Sequence, residues 1–226
     1  MPPVQPLDAR ERQTPRFARP ADFCRMDAHT NRNGTAPWAA AAITRRQERP
    51  RKAEIIRHKG KNLKDILSAH EKFHKGHAGG ERADLSGANL SGADLRKRDL
   101  TGANLVGCNL QKADLRGAKL SFADLSKADL RKADLRSCDF TETKLEGADL
   151  SEADLSGTEL FRGDLRSAKL HKTILRGTVL RQANLRGADF SGSDLALASF
   201  REIDLTDVKL DGAQLQDAVV RDNRKD

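Results

Sequence analysis

The sequence predicts an all-β solenoid, preceded by one short helix and a basic tail. Three observations carry that expectation. An apolar residue recurs at every fifth position from Leu85 to Leu215, 27 positions held by 24 Leu and by Phe140, Phe190 and Phe200. A small residue stands two places before most of them, as in Ala83, Ala88, Ala93, Ala103, Cys108 and Ala113. Aromatic residues make up only 4% of the 226, too few for a conventional mixed core. A period of five fits neither a helix nor simple strand alternation.

The first element is a tail over residues 1–60. It holds all seven prolines, many Arg and no periodic apolar pattern. Runs such as Arg45-Arg46-Gln47-Glu48-Arg49-Pro50-Arg51-Lys52 bury too little apolar surface to offset the entropy of ordering, so the segment is expected to be disordered. Residues 1–80 carry 17 Lys/Arg against 8 Asp/Glu, whereas residues 81–226 carry 24 against 25. The basic character of the chain therefore belongs to its N-terminal third. Contact with nucleic acid or an anionic membrane surface is one reading of that charge, and a solvated tail is the other. The longest apolar run, residues 36–43, is interrupted by Pro37 and falls far short of a membrane span. No charged, apolar and small succession opens the sequence as a secretory signal would. Cys24, Cys108 and Cys138 are too few and scattered for a disulfide framework, which suits a reducing cytoplasm.

The second element, residues 61–79, is a helix and linker. Leu63, Ile66, Leu67, His70 and His74 fall on one helical face between Asn62 and Gly76, and the face needs a surface to lie on. The helix contains His70-Glu71-Lys72-Phe73-His74, the H-E-x-x-H spacing of zinc proteases, with His77 nearby. Both flanking His belong to the apolar stripe, and a catalytic zinc also needs a third ligand and a substrate cleft. Packing of the helix is therefore expected, with a zinc hydrolase as the least favoured reading.

The third element is the array, residues 80–220, followed by a short tail at 221–226. The small residue and the Leu are two apart, so on an extended stretch both point inward. The Asp or Asn between them, such as Asp84, Asn89 or Asp94, points outward. The next two residues, such as Ser86-Gly87, turn a corner. Each pentapeptide is then one flat side of a closed coil, and coils stack by backbone hydrogen bonds at roughly 4.8 Å. Arg98 occupies a small-residue position, where a guanidinium cannot be buried unpaired, so either that side bulges or Arg98 lies near the helix and pairs there; local distortion is the expectation. Ile203 and Val208 predict wider or less regular last coils. Cys108 and Cys138 take the Ala role and are expected to be inert. No amphipathic helix follows Val220, so the last coil presents an open edge that a homodimer contact or a folded-back tail would relieve.

The motif seen as Ala83-Asp84-Leu85-Ser86-Gly87 and Ala188-Asp189-Phe190-Ser191-Gly192 resembles the pentapeptide-repeat protein family over about 140 of the 226 residues. The resemblance implies a right-handed quadrilateral β-helix of about seven coils, with the preceding helix as an N-terminal cap. It brings no catalytic residue, cofactor or metal. Some members resemble DNA and protect a type II topoisomerase. That role needs a long acidic face, whereas the two signs of charge are balanced here.

With four sides to a coil, residues twenty apart stack. Arg96, Arg116, Arg136 and Arg176 then form a ladder interrupted by Ser156, with Asp94, Asp114 and Asp134 two residues before the first three. The ladder is either a stripe for an acidic partner or a row of solvated Asp–Arg pairs. Phe122, Phe161 and Leu197 are candidate anchors on the surface. The resulting expectation is a non-enzymatic, cytoplasmic interaction module with an unknown protein partner; tail-mediated attachment to nucleic acid or membrane is the alternative.

Overall fold

The computed structural model describes residues 51–221. The expected disordered tail up to residue 50 and the final residues 222–226 lie outside the described residues. A one-turn 3-10 helix at Ala53–Ile55 leads into a hairpin of β1 (Arg57–His58) and β2 (Lys61–Asn62), and then into α1 (Leu63–His74). The helix buries Leu63, Ile66, Leu67 and His70, and the first three join the same apolar cluster as Leu85 and Leu90 of the array. His74, expected on that buried face, is exposed, although its Nε2 reaches the Thr101 carbonyl at 2.7 Å.

The tail was expected to run to residue 60, but residues 51–60 are held against the array. The Arg51 N–H donates to Gly92 O, and its carbonyl accepts from Asp94 N–H at 3.0 Å, so Arg51 lies in parallel register against the first coil. Ile56, only 1% exposed, plugs into the core and accepts a bond from Leu63 N–H at 2.8 Å. One apolar anchor leaves no periodic trace, which is why this segment read as tail.

From Asp84 onward, parallel bridges join residues twenty apart: Asp84 to Asn104, Asn89 to Asn109, Asp94 to Asp114 and Asp99 to Lys119. Twenty residues therefore make one coil of four five-residue sides, and four walls run along the rod. Each side contributes only one outward residue between two corners, so most of the pairing is by single-residue bridges. The exception is the parallel pair β3 (Ser199–Arg201) and β4 (Val219–Arg221). Leu85 N–H donates to Asn104 O at 2.7 Å, and Asn104 N–H returns to Ala83 O at 2.9 Å. The sides from Asp84 to Val179 repeat this two-bond rung with the next coil up, which satisfies the backbone groups that the lumen would otherwise desolvate.

Inward residues fill the lumen. Leu85 through Leu180 and their Ala partners are essentially inaccessible. Several polar atoms at the small position find a carbonyl 23 residues earlier: Thr143 Oγ1 donates to Leu120 O at 2.6 Å, Thr173 Oγ1 to Leu150 O at 3.0 Å, and Cys138 Sγ to Leu115 O at 2.9 Å, whereas Thr158 Oγ1 donates to Leu155 O of its own side at 2.8 Å. Burial pushes the thiols of Cys108 and Cys138 up to about 12, far from the reactive thiolate.

The corners explain the outward Asp and Asn. Each turn closes with a bond such as Ala88 N–H to Leu85 O at 3.0 Å, and its second residue is left-handed, as at Gly87 with φ +66°. The side chain of Asp84 accepts from Ser86 N–H at 3.2 Å, and the same two-residue reach recurs at Asn89, Asp94 and Asp99. These Asx contacts hold the corner, a role for which Asp and Asn are suited and longer acids are not.

The expected distortion at Arg98 is not found. Arg98 N–H donates to Leu95 O and Lys119 N–H to Arg98 O at 3.0 Å, so the wall is regular, and the side chain is exposed. Arg98 belongs to the first coil, so its side chain leaves by the end of the lumen instead of filling it. At the other end the ladder is interrupted: Asp204, next to the buried Ile203, stands outside the bridge series. Leu205, Leu210, Leu215 and Val220 are only partly buried, because no further described coil covers them.

Candidate functional site

The seven singled-out residues lie on the two corners that flank one wall. Its outward residues are Asp99, Lys119, Asp139, Glu159, Val179, Ser199 and Val219, stacked by successive bridges and by the β3–β4 pair. One flanking corner carries Arg96, Arg116, Arg136, Arg176 and Leu197. The opposite corner carries Phe122 and Phe161. The wall is charged near α1 and uncharged in its last three coils, where Ser199 stands between Val179 and Val219. Val179 and Val219 are each 39% exposed and Leu197 is 61% exposed. Sequence reasoning did not single out the two valines, although the twenty-residue spacing of Glu159, Val179, Ser199 and Val219 carries the signal.

Phe122 and Leu197 are exposed and also left-handed, with φ of +60° and +61°. Neither polar capacity nor the freedom of glycine compensates for that backbone, which costs on the order of 1 kcal/mol or more in a bulky residue. Phe161, expected to be exposed, is half covered: the Arg162 guanidinium lies 4.9 Å and that of Arg181 5.8 Å from its ring centroid. These arginines are held in a chain, Arg162 Nε donating to Gln182 Oε1 at 2.9 Å and Arg181 pairing with Glu202 at 3.1 Å.

The arginine ladder is internally paired. Arg96 grips Asp94 in bidentate fashion, at 2.8 and 2.6 Å, and approaches Asp114 of the next coil at 3.5 Å. Arg116 and Arg136 repeat the pattern. The Arg96 hydrogen bonds hold the Asp94 carboxyl below the usual carboxylate range. In the Arg176 coil the outward residue is Ile174, and Arg176 reaches across to Asp194 at 3.5 Å. The wall of Asp94, Asp114, Asp134 and Asp154 is the most acidic, yet Arg96, Arg116 and Arg136 cover it from the adjoining corner. Acidic and basic coils also pair with each other, as Glu142 with Arg162 and Glu146 with Arg166.

The H-E-x-x-H residues have structural partners. Ala83 N–H donates to His70 Nδ1 at 3.1 Å, His74 Nε2 donates to Thr101 O, and Glu71 pairs with Lys75 at 2.6 Å. Among the described residues no group of three or more His, Cys, Asp or Glu is placed to hold a metal, and no helix is long and apolar enough to cross a membrane. His70 accepts at Nδ1, so the buried ring is neutral, and burial, followed by the charge of His74, pulls its pKa down from the ordinary 6.5. The folded state thus takes up the proton less readily than the unfolded one. The contribution of His70 is full above pH 6.5 and falls as the pH drops from there toward the folded-state value. Hydrogen exchange at the Ala83 amide is expected to accelerate relative to the Ala133 amide between pH 7 and 5, and His70→Gln is expected to flatten that difference. An Ala83 amide equally protected across the range would refute this account.

A rod built of stacked twenty-residue coils, with no side longer than five residues, defines a class of β-helix protein. The profile of pentapeptide repeats matches this chain in eight copies, over residues 83–121, 118–157, 164–201 and 183–222, and the chain belongs to that family. Its members are right-handed β-helices. Among solved structures, HetL of the cyanobacterium Nostoc sp. strain PCC 7120, a pentapeptide repeat protein involved in heterocyst differentiation regulation, is 32% identical over 61% of this chain and 82% of its own, with a TM-score of 0.26. QnrB1, a plasmid-mediated fluoroquinolone resistance protein, is 26% identical over 61% and 72%, with a TM-score of 0.35. A pentapeptide repeat protein of the Arabidopsis thaliana thylakoid lumen is 28% identical over 53% and 70%, with a TM-score of 0.33. Comparison with curated proteins found no match.

Proposed function

We propose that the protein is a non-enzymatic, cytoplasmic interaction module: a solenoid of about seven coils, capped at its N-terminal end by α1, that binds a protein partner. The observation that carries this reading is the apolar stretch of one wall. Val179 and Val219 stand exposed on it, strained Leu197 flanks one side, and half-covered Phe161 flanks the other. Arg162, Arg176 and Arg181 rim the patch but are paired with Glu142, Asp194 and Glu202, so the partner surface that fits is apolar with a polar border. The partly buried Leu210, Leu215 and Val220 at the end of the rod offer a second surface, suited to another copy of the chain.

Val179→Glu with Leu197→Glu tests the reading. Both side chains are exposed, so the melting temperature is expected to stay within a few degrees of the parent. Capture of a nuclease-resistant protein partner by the full-length chain is expected to fall roughly tenfold or more, the scale of a lost hot spot. A partner held equally by the parent and the double variant refutes the wall as the binding surface. Capture that disappears with nuclease or moderate salt would assign function to the basic N-terminal region instead.

A further inference from the structure

The two ends of the rod differ in what covers them. At the C-terminal end Lys209, Gln214 and Val219 pair back to Asp189, Asp194 and Ser199, and no further coil follows among the described residues. In the array each Leu N–H reaches the next coil, as Leu85 reaches Asn104 O. The N–H groups of Leu210, Leu215 and Val220 therefore face a coil that the described residues do not supply, and their side chains are only partly buried. The N-terminal end is covered instead. Leu63, Ile66 and Leu67 of α1 continue the apolar cluster of Leu85 and Leu90 past the first coil. The Arg51 carbonyl accepts from Asp94 N–H at 3.0 Å, and its Nη1 donates to Ser91 O at 3.2 Å. His74 Nε2 takes Thr101 O, and Arg82 Nε takes Gly102 O. Arg98, in the first coil, is the one charged residue in an inward register otherwise held by Ala, Cys, Thr, Ser, Gly, Ile or Val.

The last coil of one copy has the shape that the first coil of another would stack on, because Lys209, Gln214 and Val219 stand six coils of twenty residues beyond Asn89, Asp94 and Asp99. In that register Val220 N–H meets Asp99 O of the next copy, as Leu180 N–H meets Ser199 O within the chain. Asp217 stands beside Lys97, as Glu152 stands beside Lys132 at 3.6 Å. The one like pair, Asp204 beside Asp84, repeats the stacking of Asp94, Asp114 and Asp134. Two features of the N-terminal end oppose this contact. α1 and Arg51 occupy the place of the incoming coil, and burial against Ala218 of that coil would desolvate the Arg98 guanidinium. A helix laid over the edge and an inward-register charge are two known ways of protecting a sheet edge. We propose that the two ends of the rod are complementary halves of a head-to-tail contact between copies of this chain, and that α1 and Arg98 are separate blocks that keep it closed. The contact is heterologous, so once opened it repeats without closing and builds a filament. This inference rests on the reading of the rod end as a surface for another copy and is independent of the apolar wall.

The test is sedimentation velocity of the full-length protein over a wide concentration range. Leu67→Asp places a carboxylate on the buried face of α1 and is expected to detach the helix. Hydrogen exchange verifies this, by lost protection at the Leu63 and His70 amides with the Leu130 amide still protected. Where those amides stay protected, Gly80→Ala, which displaces the helix from its backbone side, takes its place. The parent and Arg98→Ala, with the cap in place, are expected to form no open series of species. Leu67→Asp with Arg98→Ala is expected to give dimers, trimers and longer species that lengthen with concentration. Leu67→Asp alone is expected to need roughly tenfold more protein for the same mean size, because Arg98 still opposes burial. Val220→Pro removes the N–H that the incoming copy needs, at an edge position where Pro is tolerated, and is expected to return the double variant to the parent size. A double variant with a detached helix that stays at the parent size overturns the inference and the end-surface reading together. A series that stops at the dimer overturns the inference alone, since the rods then meet C-terminal end to C-terminal end. Assembly that survives Val220→Pro also overturns it, as indiscriminate association of exposed core, and equal assembly with and without Arg98→Ala overturns the second block.

Discussion

Replacing Leu130 by Ala is expected to lower the unfolding free energy by about 2–5 kcal/mol, the cost of a cavity in a core that cannot collapse around it. Leu130 is fully inaccessible, and its N–H is fixed to Asp149 O at 2.7 Å, so the side walls cannot move inward without breaking rungs. The same change at Leu215 is expected to cost less than half as much, because that side chain is only partly buried at the end of the rod. Denaturant unfolding of the two variants, read at several protein concentrations, decides the matter. In a one-dimensional stack each coil is supported only by its neighbours, so the middle should be the most sensitive. Equal costs at both positions would mean that the C-terminal end is covered in solution, and a concentration dependence would then identify the cover as a second copy.

Gly80→Ala is expected to detach α1 from the first coil. A Cβ at this position would stand 2.4 Å from Phe73 N and 2.5 Å from Phe73 Cα, backbone atoms that cannot rotate away. Gly80 N–H donates to His77 O at 3.1 Å and Glu81 N–H to Ala69 O at 3.1 Å, so the chain reverses tightly against the helix there. Overpacking against backbone costs about 1–3 kcal/mol or more, and here the relief is movement of α1 away from Leu85 and Leu90. Loss of protection at the Leu63, Ile66 and Leu67 amides, with mid-array amides unchanged, is the expected hydrogen-exchange result. The control is Gly76→Asn, since Gly76 meets nothing within 4 Å and Asn tolerates its left-handed backbone. A Gly80→Ala protein with an intact helix would show that the linker has more room than the structure gives it.

Much of the fold was legible because the repeat is local chemistry. Two residues apart on an extended stretch means the same side, so Ala83 and Leu85 had to face in together and Asp84 out. Twenty-residue stacking then brought Arg96, Arg116 and Arg136 into one column. The Asx role of the outward Asp and Asn was not read, since it depends on where the next two amides point after the corner. Of the two readings of Arg98, the favoured one, a local distortion, failed because an inward register was taken to mean an inward side chain. That inference fails at the first coil, where the end of the lumen lets a long side chain leave. Arg51 and Ile56 were missed because their contacts lie with residues 63 and 92–94, and no periodicity announces a single anchor.

The five-residue spacing by itself determined which side chains are inside, how many residues make a side, and why Cys108 and Cys138 are packing residues. Each of those follows from alternation along a few bonded residues. Only the tertiary structure decided that Arg51 completes the N-terminal edge, that the Arg ladder spends its charge on Asp of its own and the next coil, and that Phe122, Phe161 and Leu197 border a single wall with Val179 and Val219. Those outcomes depend on closing each coil and fixing its rotation against the next. No short stretch of chain encodes that rotation, because it is set by the sum of four corners and by rungs between residues twenty apart.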